Sequence, residues 1–175
     1  MANKKTSFCA LILAAGKGTR MFSDTPKVLQ PILDKPLIYY ILQAIKKSEI
    51  GNTAVMLGFS GEKVEEWLKN ERADVDILWQ KEQRGTGHAV RLAQEWWSDF
   101  ENILVLPGDT PHITHETLKN LIEQHVESKC DCSFLSFETS DPTGYGRVIR
   151  NQSNIKIVEE KEASEEERMC KEVNS

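Results

Sequence analysis

No apolar run in this 175-residue chain approaches the roughly 20 residues that a helix needs to cross a bilayer, so no membrane-spanning helix is expected. Cysteine is scarce. Cys9, Cys130, Cys132 and Cys170 form no C-x-x-C pair and meet no histidine pair at metal spacing, so neither a zinc site nor a disulfide framework can be drawn. A reducing cytoplasm is the simplest home for such a chain. Positive charge is also short, with 22 Lys and Arg against 27 Asp and Glu and a net charge of −5. A general nucleic-acid surface is therefore not expected, although backbone N–H groups and a few placed cations can still hold a single nucleotide. No internal repeat and no Pro/Gly/Ser linker precedes residue 159, and the length suits one domain spanning 1–175.

What is present is alternation. Lys4 and Lys5 before the apolar residues 8–15 loosely imitate a signal peptide, but the run is short and passes straight into Gly16-Lys17-Gly18-Thr19-Arg20. A buried strand over 8–13 ending in a functional loop accounts for it better. Asp34 and Pro36 then predict the cap and first turn of a helix carrying Leu37, Ile38, Ile41, Leu42 and Ile45 on one face. Strands are predicted at 53–57, 75–79 and 102–106, with helices at 62–70, 87–97 and 114–127, the last entered through the polar cap Thr114-His115-Glu116-Thr117. Later strands are read at 133–137, 146–150 and 155–158, and the glutamate-rich stretch 159–171 reads as a solvated helix or loop. Strand and helix taking turns means crossover connections, hence an α/β fold with a mostly parallel central sheet of Rossmann-like type.

Three loops leave strand ends on the edge where open α/β sheets bind ligands. The first is Leu13-Ala14-Ala15-Gly16-Lys17-Gly18-Thr19-Arg20-Met21, whose small residues and glycines allow close backbone approach to an anion. It is neither a P-loop nor a full dinucleotide fingerprint, because Met21 stands at the third glycine position. Glycine spacing alone leaves a phosphate cradle and a plain tight turn both open. Lys17, Arg20 and Lys27 lie nearby, with Lys27 stiffened by Pro26. The second loop, 80–89, holds Gln80, whose amide can pair with a base edge, and Gly85 and Thr86 for close polar contacts. Its alternative is an ordinary polar helix entry, with His88 a structural hydrogen-bonder and Trp96 and Trp97 packing residues. The third, Pro107-Gly108-Asp109-Thr110-Pro111, places a lone carboxylate at a strand end. That is a hard ligand for Mg²⁺ or, equally ordinary, a turn residue.

The residues L-A-A-G-K-G-T-R-M at 13–21, P-K-V-L at 26–29, Q-x-E-Q-x-G-T-G-H-A at 80–89 and G-D-x-P at 108–111 together resemble the sugar-phosphate nucleotidyltransferases. Adding D-P-T-G-Y-G-R at 141–147, I-V-E at 157–159 and E-V-N at 172–174 narrows the resemblance. It points to the amino-terminal uridylyltransferase domain of the bifunctional N-acetylglucosamine-1-phosphate uridylyltransferase/glucosamine-1-phosphate acetyltransferases. The resemblance implies transfer of uridylyl from UTP to N-acetylglucosamine 1-phosphate, with Mg²⁺ as cofactor and no nucleic-acid or membrane partner. By motif position, Leu13, Ala14, Ala15, Gly16, Gln80, Gly85 and Thr86 would hold uridine. Arg20 and Lys27 would be catalytic, neutralising the triphosphate. Pro107, Gly108 and Asp109 would line the substrate, with Asp109 on the metal, and Gly146, Glu159 and Asn174 would line the sugar pocket. Family members extend further, to a second metal-binding Asn and an acetyl-transferring β-helix. The chain is accordingly expected to be the domain's N-terminal portion, truncated at the C-terminus, without acetyl transfer and with uridylyl transfer impaired. Another sugar-1-phosphate nucleotidyltransferase, or a nucleotide binder without turnover, are the competing readings.

Overall fold

The structure, a computed structural model, describes residues 7–16, 25–151 and 154–174. The chain divides into two compact units, 1–119 and 120–175.

The first unit is built on four parallel strands: β1 (Phe8–Ala14), β4 (Asn52–Leu57), β5 (Asp76–Trp79) and β6 (Asn102–Pro107), in the order β5-β4-β1-β6. β1 is central, pairing Leu11 with Ala54 on one side and with Val105 on the other. Its aliphatic run suits a strand covered on both faces, and Cys9 through Ile12 are fully buried. The short β2 (Pro31–Ile32) and β3 (Lys35–Pro36) form an antiparallel hairpin, followed by α1 (Leu37–Lys47). α1 buries Ile38 and Ile41 completely, each contributing roughly 1.5–3 kcal/mol of transfer free energy. The predicted Asp34 cap is not there. Leu33 and Asp34 have φ of 49° and 67° and make the hairpin turn, a left-handed pair that Asp tolerates, so Pro36 enters the helix with no side-chain cap.

α2 (Gly61–Asn70) joins β4 to β5. The single helix predicted over 87–97 is two, α3 (Thr86–Leu92) and α4 (Gln94–Trp97), broken at buried Ala93. Trp97 Nε1 donates to Val90 O at 3.0 Å, taking a carbonyl that an unbroken helix would offer to residue 94. Both tryptophans pack against the cluster of Leu11, Ala15, Ala54, Met56, Ala89 and Ala93, as packing residues should. α5 (His115–Ser128) begins where the sequence placed its cap, with Thr117 N donating to Thr114 Oγ1 at 3.3 Å.

In the second unit, β7 (Ser136–Glu138), β8 (Arg147–Arg150), β9 (Ile155–Val158) and β10 (Glu172–Asn174) make an antiparallel sheet in the order β7-β10-β8-β9. Within the glutamate-rich stretch, α6 (Glu165–Arg168) is started by a reciprocal cap. Glu167 N donates to Ser164 Oγ at 3.2 Å, and Ser164 N to Glu167 Oε2 at 2.8 Å.

Candidate functional site

In the first unit the chain leaves β1 towards β4 and β5, then returns to the other side of β1 for β6. The order therefore reverses between β1 and β6, and the crevice outside their carboxyl ends is where such sheets take ligands. Leu13 pairs with Pro107 across this point. Gly108 N donates to Leu13 O at 2.9 Å. A Cβ on Gly108 would stand 3.0 Å from Val28 Cγ1 and 3.1 Å from Leu13 O, so the loop after β6 lies close against β1 and the Lys27 turn, where a side chain would crowd it.

That close approach brings two candidates together. Lys27 opens a single 3₁₀ turn, Lys27–Leu29, anchored by buried Val28 and by Leu29 N donating to Pro26 O at 2.9 Å. Its ammonium forms an ion pair with the Asp109 carboxylate. Thr110 Oγ1 donates to Pro107 O at 3.0 Å and ties the turn that presents Asp109. Ala14 and Ala15 are buried and Gly16 is exposed with open space around it. Gly58 went unnoticed in the sequence. A Cβ there would meet Ala15 Cβ at 2.7 Å and Ala15 O at 2.8 Å, so the loop after β4 is pressed onto the end of β1. Lys17 and Arg20 lie outside the described residues.

Gln80 leaves β5 with its side chain 3% exposed. Its Nε2 donates to Gly85 O at 3.2 Å and sits 2.9 Å from His88 Nδ1. Gly85 O can only accept, so the nitrogen must be the near atom, and His88 Nδ1 is then the acceptor of the second N–H. The Gln80 amide nitrogen thus braces its own loop, and His88 is the structural partner that the sequence suggested. Gly85 has φ 93°, a conformation open to glycine at no cost, and Thr86 is exposed at the start of α3.

The second unit holds the other candidates. β8 pairs Arg147 with Val158 of β9 and with Val173 of β10. Continuing both registers by one residue sets Glu159 and Asn174 on either side of Gly146, along one end of the sheet. Asn174 N donates to Gly146 O at 3.1 Å, and a Cβ on Gly146 would lie 2.5 Å from Asn174 Oδ1. Beneath this row lies a residue that sequence reasoning missed. Arg147 is 2% exposed, donates Nε to Arg168 O at 3.3 Å, bonds Tyr145 O, and pairs with Glu160 Oε2 at 3.1 Å. Glu160 also accepts from Gly144 N at 2.6 Å, and this bond, then Arg147, holds its carboxyl below the usual carboxylate range. Arginine is mostly exposed in folded proteins, so its identity gives no sequence sign of burial.

Residues 10–165 match the MobA-like NTP transferase domain family. The chain is 47% identical over 171 residues to the bifunctional protein GlmU of Clostridioides difficile, covering 97% of this chain and 37% of that one. It is 45% identical over 168 residues to GlmU of Caldanaerobacter subterraneus, covering 95% and 36%. The chain therefore spans little more than a third of the length of these curated relatives. Among solved structures it shares its fold with a UDP-glucose pyrophosphorylase complexed with UDP-glucose, at TM-score 0.78 and 23% identity over 97% of this chain and 73% of that one. HddC from Yersinia pseudotuberculosis complexed with GMP-PN follows at TM-score 0.70 and 24% identity, covering 86% and 68%.

Proposed function

The chain belongs to the MobA-like NTP transferase domain family, and from that membership we propose that it carries the uridylyltransferase chemistry UTP + N-acetylglucosamine 1-phosphate → UDP-N-acetylglucosamine + pyrophosphate. The observation that carries the proposal is the Lys27–Asp109 ion pair at the β1/β6 switch point, which sets a phosphate-neutralising cation against a hard-oxygen ligand. The identity to the two GlmU proteins and the run of motifs from 13 to 174 support uridylyl transfer over other nucleotidyl chemistry.

In this reading Leu13, Ala14, Ala15 and Gly16 offer small residues and backbone polar groups to uridine, and Gln80 holds the Gly85 and Thr86 loop in shape. A phosphate oxygen of the sugar phosphate, already ionised at neutral pH, attacks the α-phosphorus. The bond to the bridging oxygen breaks and pyrophosphate leaves, so no general base is needed. Lys27, with Arg20, neutralises the triphosphate charge as it shifts onto pyrophosphate. Gly146, Glu159 and Asn174 bond the sugar.

Among the described residues no group of three or more His, Cys, Asp or Glu could hold a metal ion. A lone carboxylate at the sheet edge nevertheless fits Mg²⁺, which takes one or two protein carboxylates and completes its shell with phosphates and water. Asp109 would hold it, and bound Mg²⁺ would supply charge neutralisation on the phosphates. A cytoplasmic setting accompanies the proposal, since the four cysteines are free, and the product would serve peptidoglycan synthesis. No described helix is long and apolar enough to cross a membrane.

The test is pyrophosphate release with Mg²⁺ across UTP, CTP, dTTP and GTP, and across N-acetylglucosamine 1-phosphate and glucose 1-phosphate, with nucleotide binding measured in parallel by calorimetry. Selective UTP binding and release with the amino-sugar phosphate are expected. Preference for another nucleotide would overturn the proposal.

A further inference from the structure

Between α5 and β7, and using no residue assigned above, four nucleophilic or titratable side chains converge. Lys129, with φ 52°, turns the chain out of α5 into the exposed run Cys130-Asp131-Cys132. Cys130 Sγ lies 3.1 Å from Ser128 Oγ, 3.1 Å from Ser133 Oγ and 3.8 Å from His125 Nδ1. His125 Nδ1 is in turn 2.9 Å from Ser133 Oγ. Ser128 Oγ has a second acceptor in His125 O at 3.1 Å, so its single proton is divided between the two. Ser133 is different. When the imidazole carries its proton on Nδ1 and donates it to Ser133 Oγ, the Ser133 proton is free to point at sulfur, and the relay His125 → Ser133 → Cys130 ends on a thiolate.

We propose that Cys130 is a covalent modification site, whose sulfur takes low-molecular-weight disulfides into a mixed disulfide by thiol–disulfide exchange. The Cys130 thiolate attacks one sulfur of R–S–S–R, the S–S bond breaks, Cys130–S–S–R forms, and the departing RS⁻ takes a proton from solvent. The protein thiol is oxidised and one half of the small disulfide is reduced, so electrons balance. The surroundings favour the reactive form. The Ser128 hydroxyl first, then Ser133, with backbone N–H groups including that of Cys132, hold the Cys130 thiol below the usual range. The other cysteines contrast with it. Cys9 is fully buried and desolvation pushes its thiol up to about 11. Cys170 is partly buried and donates its thiol proton to Val148 O at 3.4 Å. Cys132 is equally exposed in the same turn and gives the internal reference.

The experiment uses bis(2-hydroxyethyl) disulfide, a neutral probe that removes charge steering, with the site of labelling read by peptide mass spectrometry. Cys132→Ser isolates the rate at Cys130 and Cys130→Ser that at Cys132. The thiolate is the attacking form, so Cys130 is expected to react about threefold or more faster than Cys132. Adding Ser133→Ala to Cys132→Ser should lower the Cys130 rate, and adding Ser128→Ala as well should bring it down towards that of Cys132, with an unchanged circular dichroism spectrum showing the fold intact. Alkylation by iodoacetamide against pH gives a second readout, and its midpoint for Cys130 should move up in the same variant. Equal rates at the two cysteines, or a Cys130 rate indifferent to Ser133→Ala, would overturn the assignment.

Discussion

Arg150 holds Glu172 with a two-point fork, Nε to Oε2 at 2.8 Å and an NH2 nitrogen to Oε1 at 2.6 Å, while Ser136 Oγ donates to the same Oε1 at 2.6 Å. One carboxylate thus joins β8, β10 and β7, two residues from Asn174. The Arg150 bond first, then Ser136, lowers the Glu172 carboxyl from its ordinary 4.5 to about 2.

A pH dependence follows from that depressed value. The carboxylate's contribution to stability is fully present above about 4.5 and is lost as pH falls towards about 2. Glu172→Gln should therefore lower Tm at neutral pH, and the gap to the parent should close between those two values. Thermal melts of both proteins across the acid range measure it, and two curves that stay parallel through that window would sink it.

Gly146→Ala should damage the sugar side alone. The added Cβ would lie 2.5 Å from Asn174 Oδ1, forcing that amide out of the row shared with Glu159. Under the proposed function, kcat/KM for the sugar phosphate should fall about 10- to 100-fold, as displacements near 1 Å do. UTP affinity should stay unchanged, and a matching loss of UTP affinity would show the effect to be general unfolding.

Asp109→Asn keeps the side-chain shape and removes the charge. The Lys27 pair is partly exposed, with side chains 46% and 26% accessible, so its loss should cost about 1 kcal/mol or less in urea unfolding. Turnover with UTP should drop by about 100-fold or more, as for the loss of a placed electrostatic partner. A variant that turns over at the parent's rate would remove Asp109 from the site.

Gly58→Ala places a methyl 2.7 Å from Ala15 Cβ and 2.8 Å from Ala15 O, and backbone cannot yield as a side chain can. A destabilisation of about 1–3 kcal/mol is expected, with weaker UTP binding. Ala15→Gly in the same chain should recover part of it. A urea midpoint equal to the parent's would contradict the close approach.

Much of the first unit was legible because its signals are long and one-sided. The apolar residues 8–13 became β1 over Phe8–Ala14, and Leu37, Ile38, Ile41 and Ile45 became the buried face of α1. The antiparallel sheet was harder to read. β7 and β10 have three residues each and β9 exposes three of its four, so no apolar period is long enough to show which strand adjoins which. Lys27 and Asp109 were each singled out, but for different tasks. Their contact is made where Gly108 lies close against Leu13 and Val28, a tertiary fact with no local pattern. The helix break at Ala93 was hidden similarly, since it goes with a long-side-chain contact, the Trp97 indole on the Val90 carbonyl.

The strand order β7-β10-β8-β9 also carries a message about synthesis. β8 and β9 adjoin in sequence and can zip as a local hairpin once residue 158 is made, with little loop entropy to overcome. β7 is made earlier, yet its hydrogen-bonding partner is β10, so its ladder must wait for residues 172–174. During translation the 136–138 segment is an open strand edge seeking a partner, and the second sheet closes by insertion of a late arrival between two early ones.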